Sequence, residues 1–338
     1  MDNTTASSSR LTRRRALRVG AGALGLGLLA ATTAPAASVR AAVAGPTATS
    51  LRGPAFQSDL NALGWPTAID PVAFGFIPLE DAIQQKSNLD VFTDFLSQRI
   101  GVKVDATVTT SYAALVEAQR SGFVQVSYHG PLSFLFAEQQ IGAVPILVDS
   151  TNGTTPASYQ SHLLAGVNSP IKTVQDIRGQ DFVFVDPASA SGNLFPRVML
   201  IEEGIDPNRD VRGRYAGNHA NAILAIAKDQ VPCGASNNLS INSAVSRGVI
   251  LREDLVILKT SPDIPNGPFC VMPDFDPVAV AKLTEMMTQF NDPAAIKAME
   301  LAGPLVPVDT SAYNFVRQSA RAINLQFDDQ GKPLPVGG

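Results

Sequence analysis

Short apolar runs alternate with amphipathic patterns over the first half of the chain. Runs of β-branched and aromatic residues predict strands at residues 72–77, 102–108 and 124–128. Between them, apolar residues at helical spacing predict helices at 89–100 and 113–121. Strands that alternate with helices are typical of an α/β architecture, in which helices cover a mainly parallel sheet.

The same alternation restarts downstream and predicts a second α/β unit. Further strands and helices are expected at 182–185, 194–203, 222–227, 231–235, 256–258, 269–272, 278–290 and 313–323.

Two chain crossings are expected to join these units, one near residues 165–169 and one near 260–265. Lobe 1 would then comprise residues 67–165 and 265–338, and lobe 2 residues 166–264. A segment rich in small residues, 45–66, is expected to run over the surface before the fold begins. Ligands of open α/β sheets bind at the carboxyl ends of the strands, which here would face the cleft between the lobes.

The N-terminus predicts export. Arg13, Arg14 and Arg15 precede an apolar run at 19–31, and small residues around Ala36 and Ala44 offer cleavage sites. This pattern indicates a signal peptide over residues 1–44. The adjacent arginines favour a twin-arginine signal, with an ordinary secretory signal or a retained anchor helix as alternatives. The expected location is the periplasm or the extracytoplasmic face.

Composition excludes several classes of function. A net charge of −4 provides no basic surface for nucleic acid. Cys233 and Cys270 are too few for a disulfide framework, and they either pair in an oxidising compartment or remain separate thiols. The three histidines, His129, His162 and His219, are too scattered for a metal site. No nucleophile elbow, phosphate loop or metalloprotease motif is present, so we predict no enzyme activity and no cofactor.

The segment from Asp186 to Pro196 is the most informative for chemistry. A buried strand ends at Asp186, and Pro196 must lie in the first turn of the helix that follows. Free backbone N–H groups and hydroxyls at 189–192 would then form an anion cradle. The alternative is that Ser191 merely caps the helix.

Other junctions between strands and helices carry similar side chains. Asn218 would cap a helix, and His219 in its first turn could donate to an anion. The remaining junctions are residues 109–112, 127–131 and 236–238. The acidic pair Glu80–Asp81 is expected to be solvated.

From about residue 71 to residue 322 the chain resembles the phosphate/phosphite/phosphonate family of ABC-importer binding proteins. The resemblance rests on Ser111-Tyr112-Ala113, Tyr128-His129-Gly130-Pro131-Leu132-Ser133, Asn168-Ser169-Pro170-Ile171, Asp186-Pro187 with Ser189, Ser191 and Gly192, Asn218-His219 with Asn221-Ala222, Ser236-Asn237-Asn238, and Ser261-Pro262 with Ile264-Pro265.

This resemblance implies a type II periplasmic-binding fold with a two-segment hinge, which closes on its ligand and performs no chemistry. The protein would be a monomer, and its partner would be an ABC permease in the membrane. The ligand-binding residues that it implies are Tyr112, Tyr128, His129, Ser189, Ser191, Gly192, His219, Asn237 and Asn238.

The resemblance also narrows the ligand. Relatives that bind aminophosphonates carry acidic residues where this chain has Leu239-Ser240 and Asn266-Gly267. A buried ammonium without a carboxylate is costly. The expected ligand is therefore phosphite, hypophosphite or a simple phosphonate. One alternative is a sensory receptor for an oxyanion such as arsenite, captured by Cys233 or Cys270 and signalling to a membrane kinase. Another is a hydrolase on an unrelated α/β fold.

Overall fold

The computed structural model of the protein describes residues 59–325. The predicted signal peptide and most of the predicted surface segment lie outside the described residues. Within 59–325, no helix is both long and apolar enough to cross a membrane.

Strands and helices alternate along the described chain. The strands are β1 (Val72–Phe76), β2 (Val104–Val108), β3 (Val126–Tyr128), β4 (Val144–Asp149), β5 (Ser158–Tyr159), β6 (Ser161–Gly166), β7 (Asp181–Phe184), β8 (Arg212–Tyr215), β9 (Cys233–Asn237), β10 (Leu255–Thr260), β11 (Ile264–Pro265), β12 (Phe269–Val271) and β13 (Leu305–Pro307). The helices are α1 (Ala82–Ile100), α2 (Tyr112–Arg120), α3 (Pro131–Ile141), α4 (Phe195–Glu202), α5 (His219–Ala227), α6 (Asn238–Ser246), α7 (Pro277–Thr288), α8 (Pro293–Ala298) and α9 (Asn314–Ala322).

Lobe 1 is built on a six-stranded sheet with the order β13-β4-β12-β3-β1-β2. β1 runs parallel to β2 and β3, and Phe74 lies opposite both Ala106 and Val126. β12 enters antiparallel between β3 and β4, and β13 pairs antiparallel with β4. The carboxyl ends of β1 and β3 therefore lie side by side, and the chain leaves β3 there at Tyr128.

Lobe 2 is built on a five-stranded sheet with the order β10-β6-β9-β7-β8. β7 runs parallel to β8 and β9, whereas β6 is antiparallel to β9 and β10. The parallel strands end together, so the chain reaches Asp186 and Asn237 at the same edge of the sheet. Each lobe is thus an α/β unit with a mixed sheet.

The two chain segments that cross between the lobes pair with each other. β5 and β11 form a separate antiparallel ribbon in which Tyr159 lies opposite Ile264. The first crossing therefore precedes Ser161, earlier than residues 165–169. β6, which the predicted boundary assigned to lobe 1, hydrogen-bonds within the sheet of lobe 2. The second crossing runs between β10 and β12 and contains β11.

Local signals explain where some elements begin. α1 begins at Ala82, seven residues before the predicted start, because the Asp81 carboxylate accepts hydrogen bonds from Ile83 N and Gln84 N. The surface segment predicted at 45–66 ends sooner than expected. Trp65 has no exposed surface, and its Nε1 donates to Ile69 O at 2.7 Å.

One apolar cluster spans both lobes. Ala188, Leu194 and Phe195 of lobe 2 belong to the same buried cluster as Phe134 and Tyr313 of lobe 1. The lobes are therefore in contact in this structure.

Candidate functional site

A cavity of about 50 Å³ lies between the lobes, at the carboxyl ends of β3 and β9. Two of the predicted ligand-binding residues, Gly192 and Asn238, do not line it. The seven that do are Tyr112, Tyr128, His129, Ser189, Ser191, His219 and Asn237.

Lobe 2 contributes a helix start to the cavity. A turn of π-helix at Ala190–Leu194 leads directly into α4. Ser189 is its N-cap, and the Ser189 Oγ accepts from Gly192 N at 2.9 Å. The alternative that Ser191 caps this helix is therefore wrong, because Ser189 is the cap. A capping hydroxyl still has its own proton to donate, and the Ser191 side chain also lines the cavity.

Gly192 serves packing and is not a free donor. Its N–H is taken by Ser189, and a Cβ built on it would lie 2.3 Å from Val185 Cβ. Only glycine lets the helix start approach the end of β7 this closely.

His219 is a neutral, fully buried histidine at the start of α5, which Asn218 caps. Burial lowers the pKa of His219 to about 3. The Asn237 amide is oriented because its Oδ1 accepts from Ser240 N at 2.8 Å. Its Nδ2 therefore faces His219 Nε2 at 3.2 Å, and His219 Nδ1 donates to Ser236 Oγ at 2.8 Å. In this arrangement Nε2 accepts, whereas the sequence suggested that His219 could donate to an anion.

Tyr112 reaches the cavity from lobe 1 and contacts lobe 2. Its hydroxyl hydrogen-bonds with Ser189, and its backbone N–H donates to the Asp186 carboxylate. Burial, together with the nearby Asp186 charge, raises the pKa of Tyr112 well above its ordinary value. Tyr112 is therefore a neutral hydroxyl that links the two lobes at the cavity.

The wall contributed by lobe 1 also contains Tyr128 and His129. Burial raises the pKa of Tyr128, so that hydroxyl is neutral. Burial lowers the pKa of His129 to about 3. The His129 Nε2 lies 3.3 Å from Gln119 Oε1.

Asn238 lies behind the cavity and contacts the hinge. Its side-chain Oδ1 accepts from Gln160 N at 2.8 Å, and its backbone N donates to Gln160 O at 3.1 Å. Gln160 separates β5 from β6, so Asn238 fixes the first crossing against α6.

Several cavity residues were not among the predicted ones. Tyr159 was missed because the first crossing was placed too late, and its hydroxyl hydrogen-bonds with Ser191. Asn266 follows the second crossing, at a position that the resemblance connected with the ligand of aminophosphonate-binding relatives, but it was not among the predicted ligand-binding residues. Ser240 lines the cavity from the first turn of α6.

Glu300 places a carboxylate at the cavity, contrary to the expectation drawn from Leu239-Ser240 and Asn266-Gly267. It lines the cavity from the loop after α8, in a segment without a recognisable motif. Its φ of 57° is a left-handed conformation, which costs a residue other than glycine about 1–2 kcal/mol. Its Oε2 accepts from Ser240 Oγ at 3.1 Å, and Ser243 supplies a second hydroxyl. Burial raises the pKa of Glu300.

The cavity has little positive charge to offer an anion. Among the described residues, none of those that line it is lysine or arginine. Nearby Asp186 is buried, which raises its pKa to about 6 even though Ala188 N and Tyr112 N donate to it. Binding of an anion must therefore depend on neutral hydrogen-bond donors.

The two cysteines are free thiols outside the cavity. Cys233 begins β9 in lobe 2, and Cys270 lies in β12 of lobe 1. Burial raises the pKa of Cys233 to about 12, and it raises the pKa of Cys270 well above its ordinary value. They are unpaired in this structure, and capture of arsenite in the cavity by either thiol is not supported.

A buried ion pair joins the lobes beside the cavity. Glu80, after β1, accepts from the Arg247 guanidinium at the end of α6 and from Asn88 Nδ2 at 2.8 Å. Glu80 is 5% exposed, contrary to the expectation of a solvated acidic pair. Glu80 and Arg247 belong to different lobes, so their contact is made only while the lobes are together.

We expect Arg247→Gln to weaken ligand binding about tenfold, because it leaves Glu80 buried without its partner when the lobes are closed. The double variant with Glu80→Gln should recover part of this loss. Calorimetric titration measures the affinity. Arg178→Gln is the matched control, since Arg178 pairs with Asp210 inside lobe 2. Equal losses in both arginine variants would argue against a role for the pair in closure.

Comparison with known proteins places the chain in context. A family model described as "ABC transporter, phosphonate, periplasmic substrate-binding protein" matches residues 74–313. The chain is 29% identical over 254 residues to the phosphate-import protein PhnD of Mycolicibacterium smegmatis, covering 72% of this chain and 77% of that protein. It is 26% identical over 203 residues to the phosphonates-binding periplasmic protein of Escherichia coli, covering 58% of this chain and 59% of that protein.

Solved structures agree on the fold. A binding protein component of an ABC phosphonate transporter from Pseudomonas aeruginosa matches with a TM-score of 0.68 and 21% identity, covering 73% of this chain and 84% of that one. PhnD1 from Prochlorococcus marinus, in complex with methylphosphonate, matches with a TM-score of 0.66 and 17% identity, covering 75% and 98%. The predicted type II periplasmic-binding fold is confirmed.

Proposed function

Because the chain belongs to the phosphonate family of periplasmic substrate-binding proteins of ABC transporters, we propose that it is exported and binds a small phosphorus oxyanion between its lobes. The ligand is phosphite, hypophosphite or a simple phosphonate, which the protein delivers unchanged to a membrane permease. It acts as a monomer without enzymatic activity.

The observation that carries this proposal is the set of neutral donors around the small cavity. Tyr112 and Tyr159 extend hydroxyls towards Ser189 and Ser191 at the first turn of a helix. The first N–H groups of a helix lack intrahelical acceptors and favour an anion. Hydroxyls that bond to one another across the cleft can each turn their proton towards a ligand oxygen.

The size of the cavity supports a compact ligand. About 50 Å³ accommodates a few heavy atoms, and Leu239 contributes apolar surface beside the polar groups. Hydrogen bonds from both lobes to one ligand would favour the closed arrangement over an open one, which is the usual basis of hinge closure.

Ser191→Ala should weaken binding of methylphosphonate by about 1–3 kcal/mol, because it removes a donor to a charged ligand. Tyr112→Phe keeps the ring and removes only the hydroxyl, so a loss in the same range is expected. Calorimetric titration measures both. Ser121→Ala, which alters an exposed hydroxyl at the end of α2, is the control. Unchanged affinity in both site variants would contradict the assignment of these hydroxyls.

The function itself is tested by titrating the mature protein with methylphosphonate, phosphite, hypophosphite, phosphate and sulfate. We expect saturable heat and a raised melting temperature with at least one of the first three. The absence of both responses for every phosphorus oxyanion would refute the proposed function.

A further inference from the structure

Two buried atoms of cavity-lining residues have no hydrogen-bond partner. They are His129 Nδ1 and Asn266 Oδ1. His129 has no exposed surface, Asn266 is 3% exposed, and both residues line the cavity from lobe 1. A buried polar atom without a partner is costly and is rare in native proteins.

The free nitrogen of His129 is an acceptor. Gln119 is oriented because its Oε1 accepts from Ser127 Oγ at 2.9 Å and its Nε2 donates to Cys270 O at 3.5 Å. Since His129 Nε2 faces that Oε1, the ring proton is on Nε2. The ring is neutral, as its burial requires, so Nδ1 carries a lone pair.

The free atom of Asn266 is an acceptor as well. Its Nδ2 donates to Asp149 Oδ2 at 2.7 Å, and the reversed amide would set two oxygens against each other. Asn266 and His129 belong to the same wall. Gly267 follows Asn266, and a Cβ on Gly267 would lie only 1.8 Å from His129 O. The segment that contains Asn266 therefore touches the segment that contains His129.

Unpaired acceptors on residues of one wall and hydroxyl donors on the other fit a ligand that both accepts and donates. Resting on the proposed function, we propose that the site takes its phosphorus oxyanion as the singly protonated monoanion, whose P–OH donates its one proton to His129 Nδ1 or to Asn266 Oδ1. The remaining oxygens face the hydroxyls of Tyr112, Ser189 and Ser191.

The charges around the cavity also favour the singly protonated monoanion over the dianion. The Glu300 carboxylate lines the cavity, and the nearby Arg247 neither lines the cavity nor serves Glu300 alone, since it also pairs with Glu80. A dianion would therefore be poorly compensated. Hypophosphite has no P–OH, and we therefore expect it to bind weakly.

Other titrating groups would also change the ligand affinity as the pH changes, so the affinity for one ligand as a function of pH does not report on the ligand proton alone. The elements packed around His129 bring Cys270 from β12, Tyr128 from β3 and, beyond Asn266, Asp149 from β4. Asp186, Glu300, His219, Tyr112 and Tyr159 lie at the cavity as well, Tyr313 donates to Asn266 O, and Arg247 acts on Glu300. A ratio of two affinities measured at one pH cancels the effects of these groups.

The decisive pair of ligands is methylphosphonate and methanesulfonate. The methylphosphonate monoanion and methanesulfonate share shape and charge, but only the former has a proton to donate. At pH 6 we expect methylphosphonate to bind at least about 100-fold more tightly, because a site built around a ligand hydroxyl rejects the analogue without it. Above the second pKa of methylphosphonate the ratio should fall about tenfold per pH unit.

A variant locates the acceptor. In His129→Gln the side-chain amide can turn an N–H towards an oxygen of methanesulfonate, which only accepts. The preference for methylphosphonate over methanesulfonate should therefore shrink at least about tenfold. His162→Gln is the matched control, because His162 is a buried histidine that bonds to Thr260 outside the cavity. If His129→Gln does not fold in a melting experiment, the two ligands on the unaltered protein still decide.

Three outcomes would overturn the inference. One is comparable binding of methanesulfonate and methylphosphonate at pH 6, and another is a ratio that does not change with pH. The third is binding of 2-aminoethylphosphonate more than tenfold tighter than methylphosphonate, which would assign the acceptors to an ammonium. The first two leave the proposed function intact, and the third leaves the transport role but changes the proposed ligand to an aminophosphonate. Failure of every phosphorus oxyanion to bind overturns both the inference and the proposed function.

Discussion

Acidification from pH 7 to pH 5 should cost the ligand-free protein about 4 kcal/mol of unfolding free energy through His129 and His219 together. Burial holds the pKa of each imidazole at about 3, whereas an unfolded histidine titrates near about 6.5. Below pH 6.5 the unfolded chain therefore binds more protons than the folded one. The stability is fully present above that pH and is lost as the pH falls towards 3.

Buried carboxyls act in the opposite direction over the same range. The pKa of Asp186 is about 6 in the folded protein, so protonation on going from pH 7 to pH 5 returns about 1 kcal/mol. Burial also raises the pKa values of Asp149 and Glu300. The histidine contribution is thus best obtained as a difference between variants.

Urea unfolding at pH 7, 6 and 5 measures that difference. His129→Gln and His219→Gln should each remove about 2 kcal/mol of the loss between pH 7 and pH 5, whatever their stability at pH 7. The double variant should remove both contributions. A His129→Gln protein with the same pH dependence as the unaltered protein would mean that the imidazole is not buried in its neutral form.

Gly267→Ala should destabilise the protein by about 3 kcal/mol or more. The added Cβ would lie 1.8 Å from the carbonyl oxygen of His129 and 3.0 Å from Gly130 Cα. Both neighbours are backbone, so no side chain can move aside. The segment after β11 would be forced away from β3, and the cavity wall would separate with it.

Gly130→Ala is the matched substitution on the same wall. Its Cβ would meet nothing closer than 3.5 Å, which is ordinary van der Waals contact. We expect a melting temperature within a few degrees of the parent for Gly130→Ala and a large drop for Gly267→Ala. Similar melting temperatures for the two variants would show that the backbone relaxes at Gly267.

Much of the fold could be predicted from local sequence patterns, because capping and periodicity depend on residues that are neighbours in sequence. Asn218 and Asn237 were recognised at helix starts, and both side chains cap their helices. The misplaced crossing has a physical cause. β6 is identified as part of lobe 2 by its antiparallel pairing with β9 and β10, which are distant in sequence.

Only part of the cavity could be predicted, because some of its residues are brought together by contacts between segments that are distant in sequence. Hydroxyls at Tyr112, Ser189 and Ser191 follow strand ends and can be found by position. Glu300 lies beside them only because α8 of lobe 1 packs near α6 of lobe 2, and no local signal encodes that. The roles of individual atoms, such as the lone pair on His129 Nδ1, depend on Gln119 and Ser127 in neighbouring elements.

The chain contains two cysteines, and each is buried in a different lobe. Cys233 lies in the sheet of lobe 2, and Cys270 lies between β3 and β4 in lobe 1. A thiol reagent can modify either one only when its own sheet opens. Labelling followed by peptide mass analysis would therefore time the local unfolding of each lobe separately, in the unaltered protein and without an introduced probe.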